Sequence, residues 1–288
     1  MTSWSPFKCE IPGKWVLAGE HAVLRGATAV AMPHPSAKLS LEFSPGEPDA
    51  KEGDLKILPA SARGILKDLL QVALEKVVTQ YGSPQGTLTI ESTIPFGSGL
   101  GSSAALCVAY TRWLSEKLGL KEKDHFEFAR QLENRFHGKS SGMDVAATCT
   151  GEPISFSMEK GAHPIGVRQI PRFTFHDTGD RARTADCIRL VEQFRSENGS
   201  EAALLDRQMI SAGREAIEGL IRFDRGKRDD GLELVASAMR EAQGCFDRWG
   251  LMPESGKKLQ AELLAQGALA TKLTGAGGGG FIVALWRD

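Results

Sequence analysis

Pro95-Phe96-Gly97-Ser98-Gly99-Leu100-Gly101-Ser102-Ser103-Ala104-Ala105 is the most informative stretch of this 288-residue chain. It follows an alternating segment, 87–94, that reads as a strand, and it precedes a long apolar run that reads as a helix over about 102–118. Three alternating glycines let the backbone bend with its N–H groups exposed and let a ligand come close. A helix start carries unpaired N–H groups and partial positive charge. A glycine loop running into a helix is therefore a cradle for phosphate. The hydroxyls of Ser102 and Ser103 can cap the helix or reach a metal. A tight strand-to-helix turn with a serine cap is the plainer alternative, and a bare Gly-x-Gly-x-Gly would favour it.

Outward from the loop, strands and helices mix without regular alternation. Short strands are expected between 14 and 43, a surface loop at 44–54, and a helix from Ser61 to about Gly82. Beyond the loop helix come helices at 124–136 and from Asp144, then strands between 153 and 177. Helices follow at 184–197, 201–223, 230–249 and 255–266, and a closing strand pair at 268–273 and 281–286 flanks a second glycine loop. This order predicts an α+β protein rather than a doubly wound parallel sheet. A boundary near residue 170 divides it into domains 1–170 and 171–288.

Composition narrows the function. The chain has 35 basic and 36 acidic residues, so a basic surplus for nucleic acid or membrane binding is missing. Its 32 glycines are about 11% of the residues, against roughly 7% in ordinary proteins. Five scattered cysteines without a Cys-x-x-Cys pair suggest a reducing compartment, and with no signal pattern or long apolar run the expectation is a cytoplasmic protein.

Two familiar nucleotide motifs fail. Gly275, Gly277 and Gly280 satisfy Gly-x-Gly-x-x-Gly, but a strand follows them where a dinucleotide fold needs a helix. Gly138-Lys139-Ser140 lacks the glycine five residues earlier that a Walker loop requires, since Glu133 stands there.

The eleven-residue string resembles the central motif of the GHMP kinases, a family named for galactokinase, homoserine kinase, mevalonate kinase and phosphomevalonate kinase. A first motif is matched by Pro12-Gly-Lys-Trp-Val-Leu-Ala-Gly-Glu-His-Ala-Val-Leu-Arg-Gly26, and a third by Lys272-Leu-Thr-Gly-Ala-Gly-Gly-Gly-Gly280. The three occur in family order and span almost the whole chain. The resemblance implies an α+β two-domain fold. Its N-terminal domain would be like domain 2 of ribosomal protein S5, and its C-terminal domain ferredoxin-like.

The resemblance also implies an ATP-dependent kinase acting on a small hydroxy acid, with Mg2+ accompanying ATP. The phosphates would lie along Gly97, Ser98, Gly99, Leu100, Gly101, Ser102 and Ser103. Glu133 matches the family's metal-binding glutamate and Ser103 its metal-binding hydroxyl. Asp144, eleven residues after Glu133 and preceded by Ser-Gly, matches the catalytic aspartate, with Lys14 as its partner. Magnesium takes few protein ligands beside phosphates, so one hydroxyl and one carboxylate are a reasonable set. Phosphoryl transfer is loose, so the attacking hydroxyl needs positioning more than a strong base. Taken alone, Glu133 and Asp144 would read as a solvated helix carboxylate and a helix cap.

Glu20, His21, Thr184, Ala276 and Gly277 match positions near the family's acceptor substrate. Either Arg181 or Arg183 is the expected contact for a substrate carboxylate, although both also read as exposed arginines at a helix start. Ser140 stands where the hydroxy-acid branch usually has proline, and Val145 where a polar residue is common. Another kinase of the family, acting on phosphomevalonate or a sugar, is the first alternative. A nucleotide-binding relative without catalysis is the second. A monomer and a homodimer are both compatible with the helix faces, and the adenine contacts are expected within 44–94, which carries no motif.

Overall fold

In a computed structural model of the chain, residues 4–46, 55–60, 84–137 and 140–287 are described. The helix expected at 61–82 and most of the segment expected to meet adenine lie outside them. Backbone contacts divide the chain into two compact units that are discontinuous in sequence. One comprises Met1–Gly13, His34–Pro95 and Gly101–Cys149; the other comprises Lys14–Pro33, Phe96–Leu100 and Thr150–Asp288. A single cut at residue 170 does not reproduce this division, because β1 (Phe7–Ala18) and β2 (Ala29–Pro45) each supply residues to both units.

These two long strands replace the several short ones expected at 14–43. Of the expected breaks, Gly19 and Gly26 fall between β1 and β2, but Pro33 lies inside β2, as does Pro35. The prolines fall between the stretch paired with β5 (Ile154–Ser157), residues 29–31, and the stretch paired with β4 (Gly86–Ser92), residues 39–45. A residue without an N–H is tolerated where neither of those ladders calls on it.

In the first unit, β4 pairs antiparallel with β2 and parallel with β3 (Leu55–Leu58). Helix α1 (Ser102–Leu118) is buried along most of its length, ending at Gly119 in the left-handed conformation. Its neighbour α2 (Glu122–His137) packs against it, and α3 (Met143–Thr150) follows. Trp113 centres an aromatic cluster, with Trp4, Phe43 and Tyr110 at ring distances of 5.4, 5.2 and 5.5 Å.

In the second unit, β5 pairs with residues 29–31 of β2 and with β6 (Gly161–Pro164). A separate antiparallel sheet is ordered β7-β9-β8, from Arg172–Asp177, Phe281–Trp286 and Ala270–Leu273. Helices α4 (Thr184–Glu197), α5 (Gly199–Asp224), α6 (Arg228–Arg248) and α7 (Glu254–Ala265) complete the unit. Helices α5 and α6 form a hairpin whose backbones touch. A Cβ on Gly231 would lie 2.6 Å from the Phe223 nitrogen. The α6 face then packs on β8, which delivers the third glycine loop.

Candidate active site

Parts of the three glycine-bearing segments, far apart in sequence, meet within the second unit. The Lys14 N–H donates to the Leu100 carbonyl at 2.9 Å, joining the first motif to the central loop. Thr274 grips β1 twice: its Oγ1 accepts from the Val16 N–H at 2.8 Å and donates to the Val16 carbonyl at 3.1 Å. The third loop lies directly on the central one. A Cβ on Gly275 would stand 3.1 Å from the Gly99 Cα, and one on Gly280 would stand 2.6 Å from the Ser98 carbonyl oxygen. Glycine is required there both by that approach and by positive φ, +88° and +95°.

The same unit buries a charged pair. Lys272 on β8 donates to Glu20 Oε1 and, at 2.8 Å, to the Leu273 carbonyl. Lys272 is 1% exposed and Glu20 4%. Burial raises the Glu20 pKa and lowers that of Lys272, and each charge opposes the shift of the other. Glu20 Oε2 is buried without a hydrogen bond among the described residues. Lys272 also sits 4.6 Å over the Phe246 ring, a cation–π arrangement.

His21 comes next, at φ 58°, an uncommon conformation for a residue other than glycine. Its Nε2 lies 2.9 Å from the Ala276 carbonyl, so the hydrogen resides on Nε2 and the neutral ring keeps Nδ1 as acceptor. Phe246 and Trp249 meet the ring edge-to-face. Burial pushes its pKa down to about 4 against the favourable Ala276 contact.

Central-loop residues Gly97, Gly99 and Gly101 all have positive φ, at 68°, 78° and 77°. Ser98 and Leu100 are buried, so Leu100 offers a ligand its backbone alone. The chain passes into the first unit at Gly101, which is the N-cap of α1. A glycine at that position has no side chain with which to cap the helix.

Glu133 on α2 is 2% exposed in the first unit. Its charge adds to burial in raising the pKa of the Cys107 thiol on α1. Ser103 precedes Cys107 by four residues, hence on the same helix face. The face of α1 carrying Ser103 is thereby the one near Glu133, and hydroxyl plus carboxylate is a hard-oxygen donor set of the kind magnesium takes. Asp144 is half-buried at the second position of α3, not at its cap, since the helix begins at Met143.

Of the remaining residues, Thr184 opens α4 and is exposed. Arg181 is engaged, with both terminal nitrogens 2.7 Å from the Asp177 carboxylate. Arg183 is exposed and its side chain makes no hydrogen bond or ion pair among the described residues. The Gly277 carbonyl accepts from the Cys187 thiol at 3.3 Å, and a Cβ on Gly277 would meet Leu251 at 2.8 Å. Sequence reasoning left Lys272, Thr274 and the Phe246–Trp249 pair without roles. A lysine inside a short, otherwise apolar strand was a usable signal for the first. The aromatic pair had none.

Residues 68–152 match the family model for the GHMP kinases N-terminal domain, and residues 227–288 match that for the GHMP kinases C-terminal domain. The chain belongs to the GHMP kinases, and it is a kinase that transfers phosphate to an alcohol. Its relatives include mevalonate kinase of Archaeoglobus fulgidus, 30% identical, with 96% of this chain and 91% of that one covered. Mevalonate kinase of Aeropyrum pernix is 28% identical over 98% of this chain and 89% of the relative. The solved L. major mevalonate kinase in complex with R-mevalonate superposes with a TM-score of 0.78 at 24% identity, covering 100% of this chain and 89% of that one.

Proposed function

We propose that this kinase is a mevalonate kinase, transferring the γ-phosphoryl group of ATP to the 5-hydroxyl of mevalonate in isoprenoid synthesis. The observation that carries the reading is the meeting of Gly99, Gly275, Lys14 and Leu100 in one unit, which gives the three family motifs a common physical purpose. The names of the full-length relatives support mevalonate as acceptor.

In this reading the backbone of Gly97–Ser103 binds the ATP phosphates, with the start of α1 at Gly101 favouring negative charge. Ser103 and Glu133 would hold Mg2+, which supplies charge neutralisation on the phosphates when bound. Asp144 orients the acceptor hydroxyl and takes its proton. The hydroxyl oxygen forms a bond to the γ-phosphorus while the bond to the β–γ bridging oxygen breaks, releasing ADP. Lys14 neutralises charge developing on the transferred group. Glu20, His21, Thr184, Ala276 and Gly277 line the acceptor. Arg183, which has no competing partner among the described residues, is the better of the two arginines for the substrate carboxylate. The enzyme is assigned to the cytoplasm, in keeping with five free cysteines, and acts as a monomer or homodimer.

The position phosphorylated tests this reading. A phosphorus spectrum of the product made from ATP and mevalonate should show a phosphate monoester split by the two hydrogens of a primary carbon. An unsplit ester, on the tertiary hydroxyl, would contradict it.

A further inference from the structure

A hydrogen-bonded cluster in the first unit surrounds Glu133 and is independent of the three glycine motifs. Ser140 Oγ donates to Glu133 Oε2 at 2.8 Å. The same oxygen accepts from the Gly142 N–H at 3.0 Å. The Ser140 N–H donates to Asn134 Oδ1 at 2.8 Å. Ser140 is thus anchored by its own backbone to the residue beside Glu133, and by its side chain to the residue two places before Asp144. Of its two hydroxyl bonds, the one to Gly142 needs only an acceptor and belongs to the turn. The one to Glu133 spends the hydroxyl hydrogen on a buried carboxylate.

We propose that Ser140 is a positioning residue for Glu133, its hydroxyl fixing the rotation of the carboxylate in advance of the divalent cation that accompanies ATP. This inference rests on the reading of Glu133 as a metal ligand. A buried carboxylate free to rotate about its last side-chain bond would lose that freedom when it binds a cation. One oxygen held by a donor removes the loss. The residue stands where the resemblance led us to expect proline, a side chain with no hydroxyl and no N–H, so the arrangement is a feature of this chain's own sequence.

The test is Mn2+ binding, read from loss of the free Mn2+ electron paramagnetic resonance signal in the presence of a non-hydrolysable ATP analogue. Wild type, Ser140→Ala, Ser140→Thr and Glu133→Gln are compared, each first shown to melt as a folded protein. Ser140→Ala should weaken Mn2+ binding about tenfold, the usual scale for a partner of a metal ligand. Ser140→Thr, which keeps the hydroxyl, should restore it, and Glu133→Gln should weaken it further. Wild-type affinity in Ser140→Ala beside a clear loss in Glu133→Gln would overturn the role of Ser140 and leave Glu133 as a ligand. Wild-type affinity in Glu133→Gln would remove the metal-ligand reading itself, and the inference with it.

Discussion

Lys272 and Glu20, 252 positions apart, form a buried ion pair that ties the strand before the third glycine loop to the turn after β1. Removing one partner from such a pair strands the other, so Lys272→Met should cost about 3–5 kcal/mol. The double variant Lys272→Met/Glu20→Gln should recover part of that loss, because the uncompensated carboxylate is gone. Denaturant unfolding of the two single variants and the double gives the coupling directly. Additive losses would show that the pair does not act as a unit.

His21 makes stability depend on pH in a defined window. Folded, it takes a proton only near about 4; unfolded, near 6.5. Between those values the unfolded chain binds more protons, so folding is weakened as the pH falls. The full loss from this group is ~3 kcal/mol from above pH 6.5 to below 4. Urea unfolding at several pH values should show His21→Gln with a shallower decline than wild type. Parallel curves would mean that His21 does not titrate as its burial dictates.

Gly280→Ala tests the packing of the third loop on the central one. Its Cβ would land on the Ser98 carbonyl, and φ of +95° is itself unfavourable. A loss of about 1–3 kcal/mol is expected from backbone strain alone. Because the push falls on Ser98, ATP affinity should fall with stability, measurable by calorimetry. Gly267→Ala has a similar φ of +99° with open space around it and serves as the control. It should lose stability without losing ATP binding.

The two arginines before α4 should separate kinetically. Arg181 is committed to Asp177 and lies 5.9 Å from the Phe281 ring centroid, whereas Arg183 has no such partner among the described residues. Arg183→Ala should raise KM for the hydroxy acid about tenfold, as expected for loss of a hydrogen bond to a charged group. Arg181→Ala should change KM less. Unchanged KM in both would remove arginine from the carboxylate site.

Most helices were legible because their apolar spacing and end residues agree. The 102–118 and 184–197 expectations match the observed bounds. Legibility failed where tertiary context overrules local punctuation. Pro33 reads as a break, yet it sits inside β2 between two ladders. The compact units are discontinuous because β1 and β2 serve both, a topological fact with no local signature. In the candidate site, the central glycines were legible from their alternation between a strand and a helix, and the structure gives them positive φ. The Ser140–Glu133 bond did not, since a serine seven residues from a glutamate carries no periodic signal. Nor did the Lys272–Glu20 pair, whose partners approach only after the chain has folded.

The most direct test of the account is ADP release with ATP and Mg2+ against mevalonate, phosphomevalonate, galactose, homoserine and buffer alone. The account predicts turnover with mevalonate only, reduced about 100-fold or more in Asp144→Ala, the scale of a lost general base. Turnover with another acceptor and none with mevalonate would contradict it.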